Sequence, residues 1–330
     1  MALGGNVMPQ RREFVGLAAA AGLAPLLPRA AFALDYPTKP VHVLITTAPG
    51  GSSDITTRLV TTVLSDRLGQ PFIIDNRPGA GGNIATELVL RAPVDGYTLL
   101  AMTKGNLVVN MLYDNLPFDM ARDFEPVAGV GNGPLVMLVN PSVPTKTLPE
   151  FIAWAKANPG KINYGSAGNA TDPHMAGELF KKLAGVEMTH VPYRGGALAL
   201  TDLLGGGLQL MFSNLPAADY VASGKLRALA VTTAKRSPQF ADLPAVAEVL
   251  PGYEIGVWYA FVARKGAPAE IIDKLNKAAT DALREKSVVD GLAVLTAAPM
   301  PMTPAELAGL FASETEKWGG LIKSAGIKAG

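Results

Sequence analysis

Two stretches rich in glycine and hydroxyl side chains hold the residues best placed for chemistry: Ala48-Pro-Gly-Gly-Ser-Ser-Asp54 and Gly165-Ser-Ala-Gly-Asn-Ala-Thr-Asp172. Each follows a short apolar run and precedes an apolar pattern of helical spacing, so each reads as a strand-to-helix loop. In open α/β sheets such loops lie beyond the carboxyl ends of the strands, where ligands bind. Glycine lets the backbone approach a bound group, and the first N–H groups of the following helix point outward without partners. That end favours an anion with no charged side chain. Ser52, Ser53, Ser166 and Thr171 add hydroxyl donors. Facing one another, the two loops would hold a carboxylate; taken singly, each is equally an ordinary turn with Ser, Thr or Asp caps.

Other chemistry is thinly represented. The three histidines, His42, His174 and His190, show no metal-ligand spacing, and the absence of cysteine removes disulfides, thiolate nucleophiles and a lipid-modified N-terminal cysteine. Neither a G-x-S-x-G elbow nor a phosphate-binding P-loop is present, and Gly129-Val-Gly131-Asn-Gly133 lacks the dinucleotide spacing. His174, two residues past Asp172, either touches a ligand or orders the helix start. Gly79-Ala-Gly-Gly82 after Asn76-Arg77-Pro78 reads as a structural loop. Lys104, Asn106, Phe212, Asn214 and Trp258 fall at or near strand ends, where they line a cleft or simply pack. The expectation is a binding protein, not an enzyme, with no cofactor and no metal.

The elements that would position these residues alternate. Val41–Ile45, Pro71–Ile74 and Tyr97–Met102 read as strands, with helices over Ile55–Leu64, ended by Gly69, and Ile84–Arg91. Further on, Thr147 and Glu150 have capping-box spacing ahead of a helix at Phe151–Ala157. Asp172-Pro173 reads as an N-cap and first helical position, with Met175, Leu179, Phe180 and Leu183 on the buried face. Ile162–Tyr164, Val186–Val191, Leu208–Phe212 and Leu226–Val231 complete a second set of strands. The tail, Pro268–Glu285 and Thr303–Lys323, is helical. Two lobes suit these lengths better than one sheet, with the chain crossing near Pro134–Pro141 and returning near Tyr253–Val262.

The N-terminus has the layout of an export signal. Arg11-Arg12-Glu13-Phe14 precedes a short apolar run through Leu27, and Ala31-Phe32-Ala33 offers a cleavage site. The paired arginines resemble a twin-arginine signal, and the layout also fits an ordinary secretory one. Cleavage after Ala33 leaves a chain near neutrality, and the whole chain carries a formal charge of only +1, so no basic footprint points to nucleic acid. The expected destination is the periplasm, and the mature product is expected to be soluble.

Several segments together resemble the Bug family of periplasmic solute receptors, the binding components of tripartite tricarboxylate transporters. They are Tyr36-Pro-x-Lys-Pro-Val through Asp54-Ile, Asp75-Asn-Arg-Pro-Gly-Ala-Gly-Gly-Asn83-Ile and Ala92-x-x-Asp-Gly-Tyr-Thr-Leu99. They continue with Tyr164-Gly-Ser-Ala-Gly168 to His174, His190-Val-Pro-Tyr-Arg-Gly-Gly196 with Asp202-Leu-Leu-Gly-Gly206, and Lys225-Leu-Arg-Ala-Leu-Ala-Val231. Ala267-Pro268, Leu275-Asn276 and Glu316-Lys-Trp318 extend the likeness towards Gly326. The resemblance implies an α/β, two-lobed periplasmic binding protein of type II-like architecture, with parallel-rich sheets flanked by helices and a helical C-terminal tail. After a signal peptide over 1–33, residues 34–137 and 257–330 form one lobe and 138–256 the other. It further implies that the loops around Ala48–Asp54 and Ser166–His174 grip a carboxylate as a pincer. The expected ligand contacts are Thr47, Ala48, Gly50, Gly51, Ser52, Ser53, Asp54, Asn106, Ser166, Ala167, Gly168, Thr171, His174, Tyr193, Arg194, Asn214 and Trp258. Thr46-Thr47 replaces the Pro-aromatic pair usual in that family, which removes one aromatic wall and leaves the ligand open. The expected partners are a small carboxylate and the membrane subunits of a transporter, with the receptor a monomer. A sensor docking on a kinase and an exported enzyme are the competing functions.

Overall fold

β-Branched and apolar runs form the strands, and amphipathic segments between them cover the sheets. The computed structural model describes Met1, residues 35–113 and residues 115–325; the export-signal residues lie outside the described residues. In chain order the first elements are β1 (Val41–Ile45), α1 (Ser52–Leu68), β2 (Phe72–Asn76), α2 (Asn83–Leu90), β3 (Thr98–Thr103), α3 (Lys104–Leu112), α4 (Met120–Asp123) and β4 (Phe124–Pro134). The second group is β5 (Val136–Val139), α5 (Leu148–Ala157), β6 (Asn163–Ser166), α6 (Asp172–Ala184), β7 (Thr189–Pro192), α7 (Gly196–Leu204), β8 (Leu210–Ser213), α8 (Ala218–Ala222) and β9 (Arg227–Val231). The chain then returns through β10 (Gly256–Arg264), α9 (Ala269–Ala282), α10 (Lys286–Val294), β11 (Ala298–Pro299) and α11 (Pro304–Ala325). None of the described helices is long and apolar enough to cross a membrane.

Among the described residues these strands form two sheets, ordered β11-β4-β10-β3-β1-β2 and β7-β6-β8-β5-β9. In the first, β1 pairs in parallel with both β2 and β3, while β10 enters antiparallel between β3 and β4. In the second, β6 pairs in parallel with β7 and β8, and β5 runs antiparallel to β8 and β9. The two-lobed α/β expectation therefore holds. Each lobe has its own core: Leu100, Phe118, Phe124, Val262 and Phe311 belong to the first, and Leu138, Leu200, Leu203, Leu208 and Met211 to the second. Burying a Leu, Val or Phe side chain contributes about 1.5–3 kcal/mol, so these layers hold each sheet to its helices.

The chain crosses between sheets at Leu135 and again around Ile255. Leu135 N–H donates to Thr232 Oγ1 (2.8 Å), Thr232 N–H to Leu135 O (3.0 Å), and Ile255 N–H to Thr232 O (3.0 Å). The first crossing thus precedes β5, whose Val136 and Met137 lie in the second sheet, on the far side of a boundary drawn after 137. β4 was not legible as a strand because of its glycines. A methyl on Gly129 would lie 2.5 Å from Met300 O and one on Gly133 2.4 Å from Thr296 O, so the glycines admit the 296–300 segment against the strand. Helix ends follow chain chemistry: Gly69, in the left-handed conformation, closes α1 on Ser65 O, and Thr303 and Glu306 cap α11 reciprocally. One helix start differs from expectation. α6 begins at Asp172 with Thr171 as its N-cap, because Thr171 retains extended backbone angles and Asp172 is already in the first turn.

Candidate functional site

Both loops singled out from sequence sit at switch points. β1 has β2 on one side and β3 on the other, and β6 has β7 on one side and β8 on the other. The loops leaving β1 and β6 therefore open where the chain turns to opposite sides of its sheet, which is where α/β sheets form crevices. α1 and α6 start from these loops and face a common cavity between the lobes.

The first loop is held rigid from behind. Asp54 accepts from Gly50 N–H (3.0 Å), Arg58 Nε (3.0 Å) and Asn76 Nδ2 (3.0 Å), and Asn76 also donates to Thr47 O (3.0 Å). Burial pulls the Asp54 carboxyl upward, but the bonds from Arg58, Gly50 and Asn76 outweigh it and hold the group below the usual carboxylate range. Gly50 has φ +79°, a conformation that a side chain would strain. The consequence is a helix start whose N-cap, Gly51, supplies no side-chain bond, leaving the first N–H groups of α1 to the cavity beside Ser52 and Ser53.

The second loop is chemically different. Gly168 N–H donates to Ser166 Oγ (3.0 Å), Ala170 N–H to His174 Nδ1 (3.1 Å), and Thr171 Oγ1 to Gly168 O (2.7 Å). Pro173 brings no N–H, and the Asp172 carboxyl takes the N–H of its own residue. The start of α6 thus already carries its own acid. Burial pushes the Asp172 carboxyl up to about 7, Lys104 opposes the shift and Glu314 adds to it. Lys104 Nζ lies 3.9 Å from Asp172 Oδ1 and 3.2 Å from Glu314 Oε2, and donates to Gly256 O (2.7 Å). Glu314 also accepts from Trp318 Nε1 (2.8 Å). This buried group joins α3, α6, α11 and the returning strand.

Among the expected contacts, Thr47, Gly51, Ser52, Ser53, Asn106, Ala167, Thr171 and Asn214 line the cavity. Gly168, Tyr193 and Arg194 line an adjoining space, which shares Thr47, Ala167 and Thr171 with the first. Ala48, Gly50, Asp54 and Ser166 stand behind these walls: Ala48 N–H reaches across to Arg194 O (2.9 Å), and Ser166 Oγ bonds His190 Nε2 (2.7 Å). His174 is corrected. It stacks on His190 with ring centres 4.0 Å apart and caps the loop through Ala170, so it orders the helix start and does not reach the cavity. Burial pushes His174 down to about 4, and burial with the neighbouring His174 pushes His190 down to about 3.

Trp258 is corrected too. It stacks on Phe311 (5.4 Å) inside the first lobe's core, with an indole N–H that finds no acceptor. Its strand neighbour Tyr259 takes the cleft position, since adjacent strand residues face opposite ways. Tyr259 Oη accepts from Asn214 Nδ2 (2.7 Å), tying the first lobe's strand to the second lobe, and lies within reach of Ser52. Burial drives its phenol well above the ordinary value, so it stays a neutral hydrogen-bonding group. Asp172, Thr103, Ser213 and Gly105 also line the cavity and were not singled out as contacts. Among the described residues no cluster of three or more His, Cys, Asp or Glu could hold a metal ion.

Known proteins share this arrangement. The family described as "Tripartite tricarboxylate transporter family receptor" matches residues 56–327. Protein BugT of Bordetella pertussis is 36% identical over 297 residues, 89% of this chain and 91% of that protein. A solved structure of R. palustris Rpa4515 with adipate is 37% identical with a TM-score of 0.85, covering 89% of this chain and 99% of that one. MatC (Rpa3494) from Rhodopseudomonas palustris with bound malate is 32% identical with a TM-score of 0.82, covering 87% of this chain and 100% of that one. With its two lobes, its interlobe cavity and a match over most of its length, the chain belongs to the tripartite tricarboxylate transporter receptor family.

Proposed function

We propose that the protein captures a small organic acid by its carboxylate in the interlobe cleft and delivers it, unchanged, to the membrane subunits of a tripartite tricarboxylate-type transporter. It works in the periplasm as a soluble monomer, once the signal over residues 1–33 has been removed. Its lobes are divided by the crossings at Leu135 and Ile255. The observation that carries the reading is the open start of α1, with unpartnered N–H groups and the Ser52 and Ser53 hydroxyls on the cavity wall. The helix end places partial positive charge there, and the Asp54 carboxylate of the first turn is engaged behind the loop by Gly50, Arg58 and Asn76. The relatives solved with adipate and with malate hold carboxylates, which supports the same ligand chemistry in this chain. Tyr193, Arg194 and Gly168 extend the wall for whatever the carboxylate is attached to.

Hydrogen bonds to a charged group contribute about 1.5–3 kcal/mol each. Two or three at the α1 end support micromolar binding, about −8.2 kcal/mol. Closure follows from contacts across the cleft such as Ala48 to Arg194 and Asn214 to Tyr259. The test is a thermal-shift screen of the mature protein with organic acids and their amides. At a hundredfold excess over Kd a ligand adds about 2.7 kcal/mol of stability. An acid that raises the midpoint while its amide does not, and that is recovered chemically intact, supports the reading. Stabilisation by neutral compounds alone, or conversion of the acid, overturns it.

A further inference from the structure

The two loops that meet at the cavity offer opposite chemistry. The α1 end presents donors. The α6 end presents an acceptor: the N–H groups of Gly168, Ala170 and Thr171 and the Thr171 hydroxyl are bonded within the loop, and Pro173 has no N–H to give. That acceptor is Asp172, a wall residue only 4% exposed whose Oδ1 has no hydrogen-bond partner. The nearest cation does not meet this need. Lys104 Nζ stands 3.9 Å away, beyond hydrogen-bonding distance, and is engaged by Gly256 O and Glu314. A buried acceptor without a donor carries an uncompensated desolvation cost, and a ligand donor placed there recovers it. Among the described residues no Lys, Arg or His lines this cavity. A plain dicarboxylate leaves that acceptor without a donor, whereas a hydroxyl or ammonium would complete the site.

Resting on the reading that α1 takes the carboxylate, we infer that the cleft selects an acid bearing a hydrogen-bond donor, a hydroxyl or an ammonium, close to that carboxylate, with Asp172 Oδ1 as the acceptor that determines specificity. The acid lies between the helix starts, its carboxylate on Ser52, Ser53 and the first N–H groups of α1, its donor on Asp172. Tyr259 stands beside both ends, within reach of Ser52 and near enough to Asp172 to feel its charge.

Matched acids at constant length test this by titration calorimetry: succinate, 2-hydroxysuccinate and 2-aminosuccinate, the corresponding five-carbon series, and propionate, lactate and alanine. The wild-type protein is expected to bind one donor-bearing member about tenfold or more tightly than its unsubstituted parent, since a site built for a donor rejects the analogue lacking it. Comparing the hydroxy and amino arms identifies which donor is used. Asp172→Ala is expected to erase that ratio, weakening the donor-bearing acid at least tenfold while leaving the parent acid within about twofold. A residue serving only to join the lobes would weaken both alike, and that outcome overturns the proposal, as does a wild-type protein indifferent to the donor. If no acid of any series binds, the carboxylate reading falls and this inference with it. If the parents bind as well as the substituted acids, the inference alone falls. The wild-type ratio decides the matter even where Asp172→Ala does not fold.

Discussion

Gly105 is the second residue of α3, in the first lobe, and it faces the backbone of the second lobe. A methyl group built on it would lie 2.8 Å from Ala170 O and 3.2 Å from Ala170 C, closer than such atoms approach. The obstruction is backbone and cannot swing aside, so Gly105→Ala can be accommodated only by parting the lobes. Within its own helix the substitution is harmless or mildly favourable, because alanine exceeds glycine in helix propensity by up to about 1 kcal/mol. The two effects therefore separate by state. Overpacking of one methyl costs about 1–3 kcal/mol, and a parting of the lobes at the Leu135 and Ile255 crossings would place that cost on the closed, liganded form. Affinity is expected to drop about 5- to 150-fold, with the unliganded denaturation midpoint unchanged or slightly raised. Calorimetric titration gives the first quantity and urea denaturation without ligand the second. Wild-type affinity in the variant would refute the argument. So would an unliganded form destabilised by the same 1–3 kcal/mol, because the contact would then belong to the resting fold and not to closure.

Four more predictions concern the groups around the cleft. Tyr259→Phe strands Asn214 Nδ2 and removes a hydroxyl beside Ser52, so the acid identified by screening is expected to bind about 5- to 150-fold more weakly by calorimetry, with an unaltered far-ultraviolet spectrum. Lys104→Met leaves the Glu314 and Asp172 carboxyls buried without their cation, and urea denaturation at pH 7 is expected to show a loss of about 3–5 kcal/mol. Asp172 itself sets a pH dependence: its folded value, about 7, lies above that of an unfolded Asp, so its contribution is present below about pH 4 and is lost as pH rises through 7. Lys104, Glu314 and Tyr259 are the charged or titratable groups facing it. The stability of Asp172→Asn relative to wild type is expected to grow between pH 4 and 7, by a few kcal/mol; a constant difference would remove this account. His174 and His190 shift the other way, to about 4 and about 3, so they stabilise the fold above the ordinary histidine range and lose that contribution as pH falls. Imidazole resonances recorded by NMR should show both rings neutral at pH 5.

Sequence legibility was highest where one chemical rule decides the outcome. The glycine and hydroxyl loops were readable because a strand, a tight turn and a capped helix each leave a local mark, and Gly69 and Thr303-x-x-Glu306 ended and began helices as their chemistry requires. The cleft's back wall was less readable. Choosing Trp258 over Tyr259 is an error of one residue on a strand buried on both faces, where no polar alternation reveals which side is which. His174 was drawn in by its position two residues into a helix, but the ring's direction depends on a stacking partner, His190, in another strand. Asp172 looked like a cap because Asp commonly is one; its role as a buried wall acid arises only when Lys104 and Glu314 converge from elements distant in sequence.

The insertion of β10 between β3 and β4 has a consequence for how the chain is made. The second sheet draws all its strands from Val136–Val231, one continuous stretch, and so can be complete as soon as that stretch exists. The first sheet cannot: after β1 to β4 have been synthesised, β3 and β4 still lack the strand that separates them. They wait with open hydrogen-bonding edges until the entire second lobe has passed and residues 256–264 arrive. Assembly thus runs out of order, the later lobe first, with the earlier lobe closed by a distant strand. The interval in which those edges stand open is the one in which a newly made chain is most prone to pair with another copy of itself.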